Sequence, residues 1–387
     1  MQDYSFDQVI PRRHTNSYKW DTPQEEGVLP MWVADMDFKT APCIIEALME
    51  RVKHGIFGYT RVPTEYYDAV VNWFDRRHGW TITPGHIIYT SGVVPAISAI
   101  IKGLTAPGDK VIVQTPAYNC FFSSIRNNGC ELLSNELVYN ADGRYSIDYN
   151  DLSKKAHDAR LMILCNPHNP AGRVWTRDEL TRIAEICRDN DVIVISDEIH
   201  CELTYPGFKY TPFATIAEAV GVGYVIANSP SKAFNTAGLQ IANIISPHEW
   251  MRARIDRAIN DNEVCDVNPF GVVGLIAAYN HGEGCLDALN NYLYQNYLYA
   301  KAYFERELPD FIVTPLEGTY LMWINCSITG LKSEVICSHL ESEGHVMLSP
   351  GEIYGHGGED FIRLNLACPR VVLHEGLTRI KQVLSIL

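Results

Sequence analysis

The chain has 387 residues, of which 47% are hydrophobic and 20% are charged, and this composition is ordinary for a globular protein. Its formal net charge of −14 argues against non-specific binding to nucleic acid or to an anionic membrane. No apolar run approaches the roughly 20 residues that span a bilayer, and no secretory signal is visible. The 11 cysteines include no Cys-x-x-Cys pair, so we expect a cytoplasmic protein with reduced cysteines and no bound metal.

The first hundred residues mix an irregular arm with helices. Residues 1–30 show little periodicity and carry a basic patch, which fits either a solvated arm or a segment packed across a subunit interface. A short apolar strand then precedes Asp35 and Asp37, for which acid–base work and a turn or helix-cap role are both open. Helical spacing follows over residues 41–53 and 64–78.

A small-residue turn at 91–97 opens a helix that reaches about Leu104. Free backbone N–H groups at such a helix start suit a phosphate. Next come a strand at 110–114, a helix through Arg126 and a short strand near 131–135.

From residue 161 the pattern alternates between strand and helix. Apolar runs at 161–164, 192–196 and 222–227 read as buried strands, and a helix over 176–190 separates the first two. Strands separated by helices of this size predict βαβ units and a parallel sheet. A further strand at 239–246 is predicted to return antiparallel.

The remaining chain predicts a second, smaller unit of α+β character. A helical region over 268–308 ends at Pro309, after which short strands and two helices follow. We therefore divide the chain into an N-terminal arm at 1–45 that joins the small domain, a large domain at 46–280 and a small domain at 281–387.

Polar residues follow each of the three buried strands. They therefore lie at the carboxyl ends of the strands, which is where ligands bind in open α/β sheets. We hypothesise that Lys232 carries pyridoxal phosphate, because this cofactor needs an amine that can later act as a base. Asp197 is the candidate partner for the pyridine nitrogen, since a buried carboxylate keeps that nitrogen protonated. Asn169 and His200 are candidates to bind the ring oxygen O3′. The phosphate would be held by backbone amides and hydroxyls of Gly92, Val93, Ser229 and Ser231.

The set of motifs resembles fold-type I pyridoxal phosphate enzymes of the class I/II aminotransferase superfamily. Within it, the chain is most similar to C–S lyases of the cystathionine β-lyase and cysteine desulfhydrase type. The resemblance rests on Trp32-Val-Ala-Asp-Met-Asp-Phe38, Tyr59, Gly92-Val-Val-Pro-Ala-Ile97, Cys165-Asn-Pro-His-Asn-Pro-Ala-Gly-Arg-Val-Trp175, Ser196-Asp-Glu-Ile-His200, Lys232-Ala-Phe-Asn-Thr-Ala-Gly238 and Arg363-Leu-Asn-Leu-Ala367. It implies an α/β fold with a mostly parallel seven-stranded sheet between helices and a smaller α+β domain.

The resemblance also implies individual roles. Lys232 would be the Schiff-base lysine and general base, Asp197 would pair with the pyridine nitrogen, and Asn169 would bind O3′. Tyr118 would lie against the ring face. Without the resemblance, an ordinary aromatic residue of the core is an equally good interpretation of Tyr118.

Further implied roles concern the phosphate and the substrate. Tyr59 would reach the phosphate of a neighbouring subunit, which implies a homodimer with shared active sites. Arg363 would clamp the carboxylate of an amino-acid substrate, with Asn169 and Asp35 also at the substrate.

Two residues depart from the pattern of many aminotransferases. His200 stands where they have tyrosine, and Gln240 stands where they have an arginine that grips the phosphate. Both departures fit the C–S lyase branch of the superfamily.

The resemblance predicts β-elimination at the C–S bond of L-cystathionine, giving homocysteine, pyruvate and ammonia, with L-cysteine as a further candidate substrate. Two alternatives stay open. One is an aminotransferase, because the residues that start the reaction serve both paths. The other is a pyridoxal-binding regulatory protein that acts through a protein partner.

Overall fold

The structure is a computed structural model that describes residues 4–23, 25–261, 263 and 266–387. Its strands are β1 (Leu29–Pro30), β2 (Ile87–Thr90), β3 (Lys110–Thr115), β4 (Glu131–Tyr139), β5 (Tyr145–Ile147), β6 (Ala159–Cys165), β7 (Ile193–Asp197), β8 (Tyr224–Asn228), β9 (Ala242–Ile245), β10 (Ile312–Val313), β11 (Leu321–Asn325), β12 (Val346–Met347), β13 (Ser349–Pro350) and β14 (Phe361–Asn365). Its helices are α1 (Tyr18–Asp21), α2 (Pro42–His54), α3 (Thr64–His78), α4 (Val93–Leu104), α5 (Asn119–Asn127), α6 (Tyr149–Ala156), α7 (Arg177–Asp189), α8 (Phe213–Val220), α9 (Glu249–Asn260), α10 (Pro269–His281), α11 (Glu283–Glu307), α12 (Ser333–Ser342) and α13 (Arg370–Leu384).

The large sheet has the strand order β2-β9-β8-β7-β6-β3-β4-β5. The neighbouring strands from β8 to β4 are parallel, whereas β9 runs antiparallel to both β8 and β2, as the sequence predicts for the 239–246 segment. The sheet has eight strands rather than the expected seven, because the chain turns back after β4 and pairs β5 antiparallel to it. The predicted α/β architecture is confirmed.

Alternate residues of the central strands face opposite sides of the sheet. In β6, Leu161 and Ile163 pack with α4, α5 and α9, while Met162 and Leu164 belong to the core on the other face. Helices cover both faces of this parallel sheet, so each central strand must be apolar on both sides. This explains why the strands read as unbroken apolar runs in the sequence.

A four-stranded sheet, in the order β10-β11-β14-β13, forms the predicted α+β part. The N-terminal segment joins it, because β1 pairs in parallel with β12 and the Met31 carbonyl accepts a hydrogen bond from Asn365 N. No helix in the described ranges is both long enough and apolar enough to cross a membrane. The cysteines of the described residues are free thiols.

Candidate active site

A cavity of about 510 Å³ lies at the carboxyl ends of β6, β7 and β8. The register brings these ends level, since Cys165 of β6 is paired with Asp197 and Asp197 with Ala227 of β8. The polar residues that follow each strand therefore meet at one edge of the sheet. The cavity wall includes the predicted residues Gly92, Val93, Tyr118, Asn169, Asp197, His200, Ser229, Ser231, Lys232 and Arg363.

Lys232 follows β8 in a tight turn and extends its amine into the cavity. Its Nζ donates a 2.6 Å hydrogen bond to the carbonyl of Ala34, which also accepts one of 2.9 Å from the Tyr320 hydroxyl. Burial, reinforced by the positive charge of Arg363, lowers the pKa of Lys232 to about 8. An amine with this pKa is about half neutral at pH 8, and the neutral form is the nucleophile and the base.

Asp197 ends β7 and is only 4% exposed. Burial raises the pKa of its carboxyl to about 7, although a 3.1 Å hydrogen bond from Ile199 N and the charge of Lys232 act in the opposite direction. The raised pKa means that the groups around this carboxylate do not fully compensate its negative charge. A protonated ring nitrogen in the cavity would supply the missing positive charge.

Arg363 lies on β14 and reaches the cavity from the small sheet. Its guanidinium donates to Asn169 Oδ1 at 3.0 Å and to the Trp32 carbonyl at 2.8 Å, and it lies 4.9 Å from the centre of the Tyr354 ring. Its Nε has no partner in the part of the chain that the structure describes. A buried guanidinium with an unpaired donor suits a carboxylate ligand. The bond to Arg363 uses Asn169 Oδ1, which leaves the amide nitrogen for an acceptor such as O3′.

The predicted phosphate residues lie at the start of α4 and in the turn after β8. The N-cap residue Gly92 offers no side chain to the first amides of α4, so these N–H groups are available to an anion. Ser229 Oγ instead donates to the Ile241 carbonyl and accepts from Ser231 N. The Ser229 hydroxyl thus shapes the turn, and its proton is already engaged.

His200 and Gln240, the two departures from the aminotransferase pattern, both line the cavity. Burial, together with the charges of Lys232 and Arg363, holds the pKa of His200 well below its usual range, so the ring is neutral. Its Nδ1 finds no partner among the described residues, and the ring contacts Tyr320 edge-on. Gln240 is exposed and brings no positive charge to the phosphate end.

Two predicted residues do not line the cavity. Tyr59 is 97% exposed, as a residue that reaches another subunit would be, and its role stays a prediction. Asp35 forms ion pairs with Arg12 at 2.7 Å and with Lys19 at 3.6 Å. The carboxylate of Asp35 thus contacts the N-terminal arm in this structure, and its role at the substrate stays a prediction.

Neighbouring residues of the Trp32–Phe38 segment carry functional groups that sequence reasoning missed. The carbonyl oxygens of Trp32 and Ala34 hold the guanidinium of Arg363 and the amine of Lys232. Backbone acceptors leave no trace in residue type, so no sequence signal could have revealed them. The Tyr354 ring, 4.9 Å from the Arg363 guanidinium, was also missed, since a single tyrosine outside any periodic pattern gives no signal.

A second polar cluster lies outside this cavity. His78, Cys201 and Glu202 place potential metal ligands within 4.8 Å of one another. However, Glu202 already accepts hydrogen bonds from Trp73 Nε1, Arg77 Nε and His78. The Arg77 charge opposes a cation here, so the cluster is better described as a buried ion-pair network.

Comparisons with known proteins identify the family of the chain. The model of the family "Aminotransferase class I and II" matches residues 27–380. Cystathionine β-lyase PatB of Bacillus subtilis is 42% identical over 98% of this chain and 100% of its own length, and the protein MalY of Escherichia coli is 32% identical over 97% of each.

Solved structures give the same result. Cystalysin from Treponema denticola, which contains pyridoxal 5′-phosphate, superposes with a TM-score of 0.95 at 34% identity, over 99% of both chains. A pyridoxal-phosphate-bound C–S lyase from Staphylococcus hominis gives a TM-score of 0.92 at 36% identity, over 98% of this chain and 99% of the other. The chain therefore belongs to the aminotransferase class I and II family.

Proposed function

We propose that this protein is a pyridoxal-phosphate-dependent C–S β-lyase that cleaves L-cystathionine and related cysteine thioethers. The observation that carries the proposal is the convergence of Lys232, Asp197 and Arg363 on one cavity. Full-length similarity to a cystathionine β-lyase supports the choice of reaction. In this reaction the thioether and one water give a thiol, pyruvate and ammonium.

The cavity fits pyridoxal phosphate. Asp197 lacks a counter-charge that a pyridinium would provide, and the unpaired Nδ1 of His200 lies in the same wall. The uncapped start of α4 offers amides to the phosphate, and Lys232 offers the amine. When bound, the cofactor supplies a conjugated ring that accepts the electron pair left on Cα.

The chain's own residues perform the remaining tasks. Arg363 binds the substrate carboxylate through its fork of donors, and Asn169 Oδ1 accepts a hydrogen bond that helps to hold the guanidinium in place. Lys232 takes the proton from Cα, since its lowered pKa leaves a neutral amine near pH 8. Asp197 keeps a proton at the ring nitrogen. The carbonyl of Ala34, which holds Nζ in this structure, fixes the direction from which the amine approaches.

We further propose that the enzyme is a homodimer whose active sites are shared and whose cofactor domain spans residues 46–280. Large apolar side chains are exposed at the end of α2 and in the following loop, where Val52, Ile56, Phe57 and Tyr59 are 55–97% exposed. A second copy would bury this surface. Size-exclusion chromatography with light scattering tests the assembly, and a monomer of 43.6 kDa would contradict it.

Pyruvate release from L-cystathionine tests the reaction, with pyridoxal phosphate present and no 2-oxo acid added. We expect equimolar pyruvate, ammonium and thiol, and none from a Lys232→Ala variant. Amino transfer to an added 2-oxo acid without pyruvate formation would instead identify an aminotransferase.

A further inference from the structure

Two asparagines that the proposed chemistry does not use lie just after its two central cations in the chain. Asn235 follows Lys232 by three residues. Asn365 follows Arg363 by two residues. Both asparagines bind the backbone of residues 32–38, which we call the bridging segment because its carbonyls also accept hydrogen bonds from Lys232 and Arg363. The bridging segment therefore connects the two cations, and the asparagines connect it to the chain around each of them.

Asn365 lies on β14 and is only 1% exposed. Its Nδ2 donates hydrogen bonds of 2.6 Å to the carbonyls of Val33 and Asp35. These two carbonyls flank that of Ala34, which accepts from the amine of the proposed Schiff-base lysine. A planar amide group that binds two carbonyls at once fixes the direction of the backbone between them. Asn365 thus sets the orientation of the Ala34 carbonyl without contacting the amine itself.

Asn235 holds the other end of the bridging segment. Its Oδ1 accepts from Met36 N at 3.0 Å, and its Nδ2 donates to the carbonyls of Met36 at 2.9 Å and Phe38 at 3.0 Å. The φ of Asn235 is +54°, in the left-handed region that asparagine adopts more readily than most residues. Three hydrogen bonds from one side chain thereby fix the turn that carries Lys232 relative to the bridging segment.

The carboxylates of the bridging segment are bound elsewhere, by the N-terminal arm. Arg12 forms ion pairs with Asp35 at 2.7 Å and with Asp37 at 2.6 Å. Lys19 pairs with Asp37 at 2.9 Å. The arm therefore binds the side chains of the segment, whereas the asparagines bind its backbone. The backbone carbonyls are the groups that contact the two cations, so their orientation depends on the asparagines.

We propose that Asn235 and Asn365 are positioning residues that fix the amine and the guanidinium of the site relative to each other through the bridging segment. This inference rests on the proposed β-lyase function and deepens it. Removal of the proton from Cα requires that the base and the bound carboxylate be held in one geometry. Neither asparagine lines the cavity, so both act through the carbonyls of Trp32 and Ala34 and not by touching the substrate.

The test replaces each asparagine with a neutral residue, so that no new charge disturbs the site. Asn365→Ala removes the donors to two carbonyls. Asn235→Gly removes three hydrogen bonds, and glycine adopts the positive φ without strain. In the holoenzyme we expect each variant to lower kcat for pyruvate release from L-cystathionine about tenfold and to raise KM about tenfold, because both cations are displaced.

The matched control is Asn135→Ala. Asn135 of β4 is also fully buried and donates to the Asp148 carbonyl and to Asp151 Oδ2, but it lies outside the cavity and does not contact the bridging segment. Its loss should lower the midpoint of thermal unfolding and leave kcat and KM unchanged. A fold that is merely weakened thus gives a different result from a displaced pair of cations.

A second readout follows the amine of Lys232 directly, without the reaction. Acetic anhydride labels neutral amines, and mass spectrometry of the cofactor-free protein measures the labelling of Lys232 as a function of pH. The hydrogen bond to the Ala34 carbonyl favours the charged amine, so its loss favours the neutral form. The pH midpoint of labelling should fall by about one unit in Asn235→Gly and Asn365→Ala and stay unchanged in Asn135→Ala.

The outcomes separate this inference from the function on which it rests. Wild-type kcat, KM and labelling midpoints in both variants would overturn the positioning role, even if both variants unfold at lower temperature. A wild-type holoenzyme that releases no pyruvate would overturn the proposed function, whereas a lowered labelling midpoint would still support the placement of the amine by the asparagines. Should Asn365→Ala fail to fold, Asn235→Gly decides the question, since Asn235 is only partly buried.

Discussion

Replacing Asp197 with asparagine should make the cofactor-free protein more stable at pH 8 while it damages catalysis. Asp197 is buried, and burial raises the pKa of its carboxyl from the ordinary 3.8 to about 7. Asparagine is nearly isosteric and can still accept the 3.1 Å hydrogen bond from Ile199 N through Oδ1. The substitution therefore removes the buried charge and changes little else.

The sign follows from the direction of the pKa change. A carboxyl whose pKa is raised by folding binds its proton more tightly in the folded state. The resulting stability is complete below about pH 4 and is lost as the pH rises through about 7. Each pKa unit is worth about 1.4 kcal/mol, so the loss reaches about 4 kcal/mol by pH 8. Asp197→Asn escapes this loss, and its advantage should vanish near pH 4.

Urea unfolding of the cofactor-free wild type and variant at pH 4, 6 and 8 measures this difference. Asp310→Asn, which changes an exposed aspartate, serves as the control and should stay within about 0.5 kcal/mol of wild type. The holoenzyme of Asp197→Asn should lose about 100-fold or more in kcat for pyruvate formation. Parallel stability curves for wild type and Asp197→Asn would refute the argument, because they would show that Asp197 is not a destabilising buried anion.

Three further predictions concern the substrate, the cofactor and the fold. Arg363→Lys keeps a charge but loses the fork of donors, so KM for L-cystathionine should rise about 10- to 100-fold in steady-state assays; an unchanged KM would place the carboxylate elsewhere. Tyr59→Phe should weaken pyridoxal phosphate binding about tenfold in fluorescence titrations without dissociating the proposed dimer, and unaltered affinity would remove Tyr59 from the site. Glu202→Gln should cost about 3 kcal/mol of unfolding free energy at pH 7. Although burial opposes ionisation, the hydrogen bond and charge of His78 and the charge of Arg77 lower the pKa of Glu202. The stability that Glu202 contributes is therefore present above pH 4.5, and the difference between wild type and variant should shrink as the pH falls below that value.

The sequence predicts the large sheet well because burial on both faces leaves a local signal. The apolar runs that form β6, β7 and β8 end where they are expected to end, and Asn169, Asp197 and Lys232 follow them into one cavity. The antiparallel return of β9 was also predicted, because its residues form a further apolar strand pattern. Short β5 was not predicted, because three residues on a sheet edge carry too little pattern.

Residue type alone did not decide what each polar side chain does. Asp35 and Asp197 are both aspartates that follow a predicted strand, yet one forms ion pairs with the N-terminal arm and the other faces the cavity alone. Ser229 offers a hydroxyl to a phosphate by type, but the fold commits its proton to the Ile241 carbonyl. These differences depend on which distant segments meet, and such contacts leave no periodic pattern in a sequence.

The sequence by itself determined the order of the elements, the residues that the sheet delivers to its carboxyl edge and the kind of chemistry they can perform. Tertiary structure decided how far the pKa of each titratable group departs from its ordinary value. Lys232 has a lowered pKa because folding buries it near Arg363, which lies on a strand of the other sheet. Lys232 follows a strand of the large sheet and Arg363 lies on a strand of the small sheet. The carbonyls of Trp32 and Ala34 can accept from these two side chains only because the N-terminal segment packs against both. Burial and charge proximity are properties of the assembled fold, whereas strand and helix periodicity is a property of the chain.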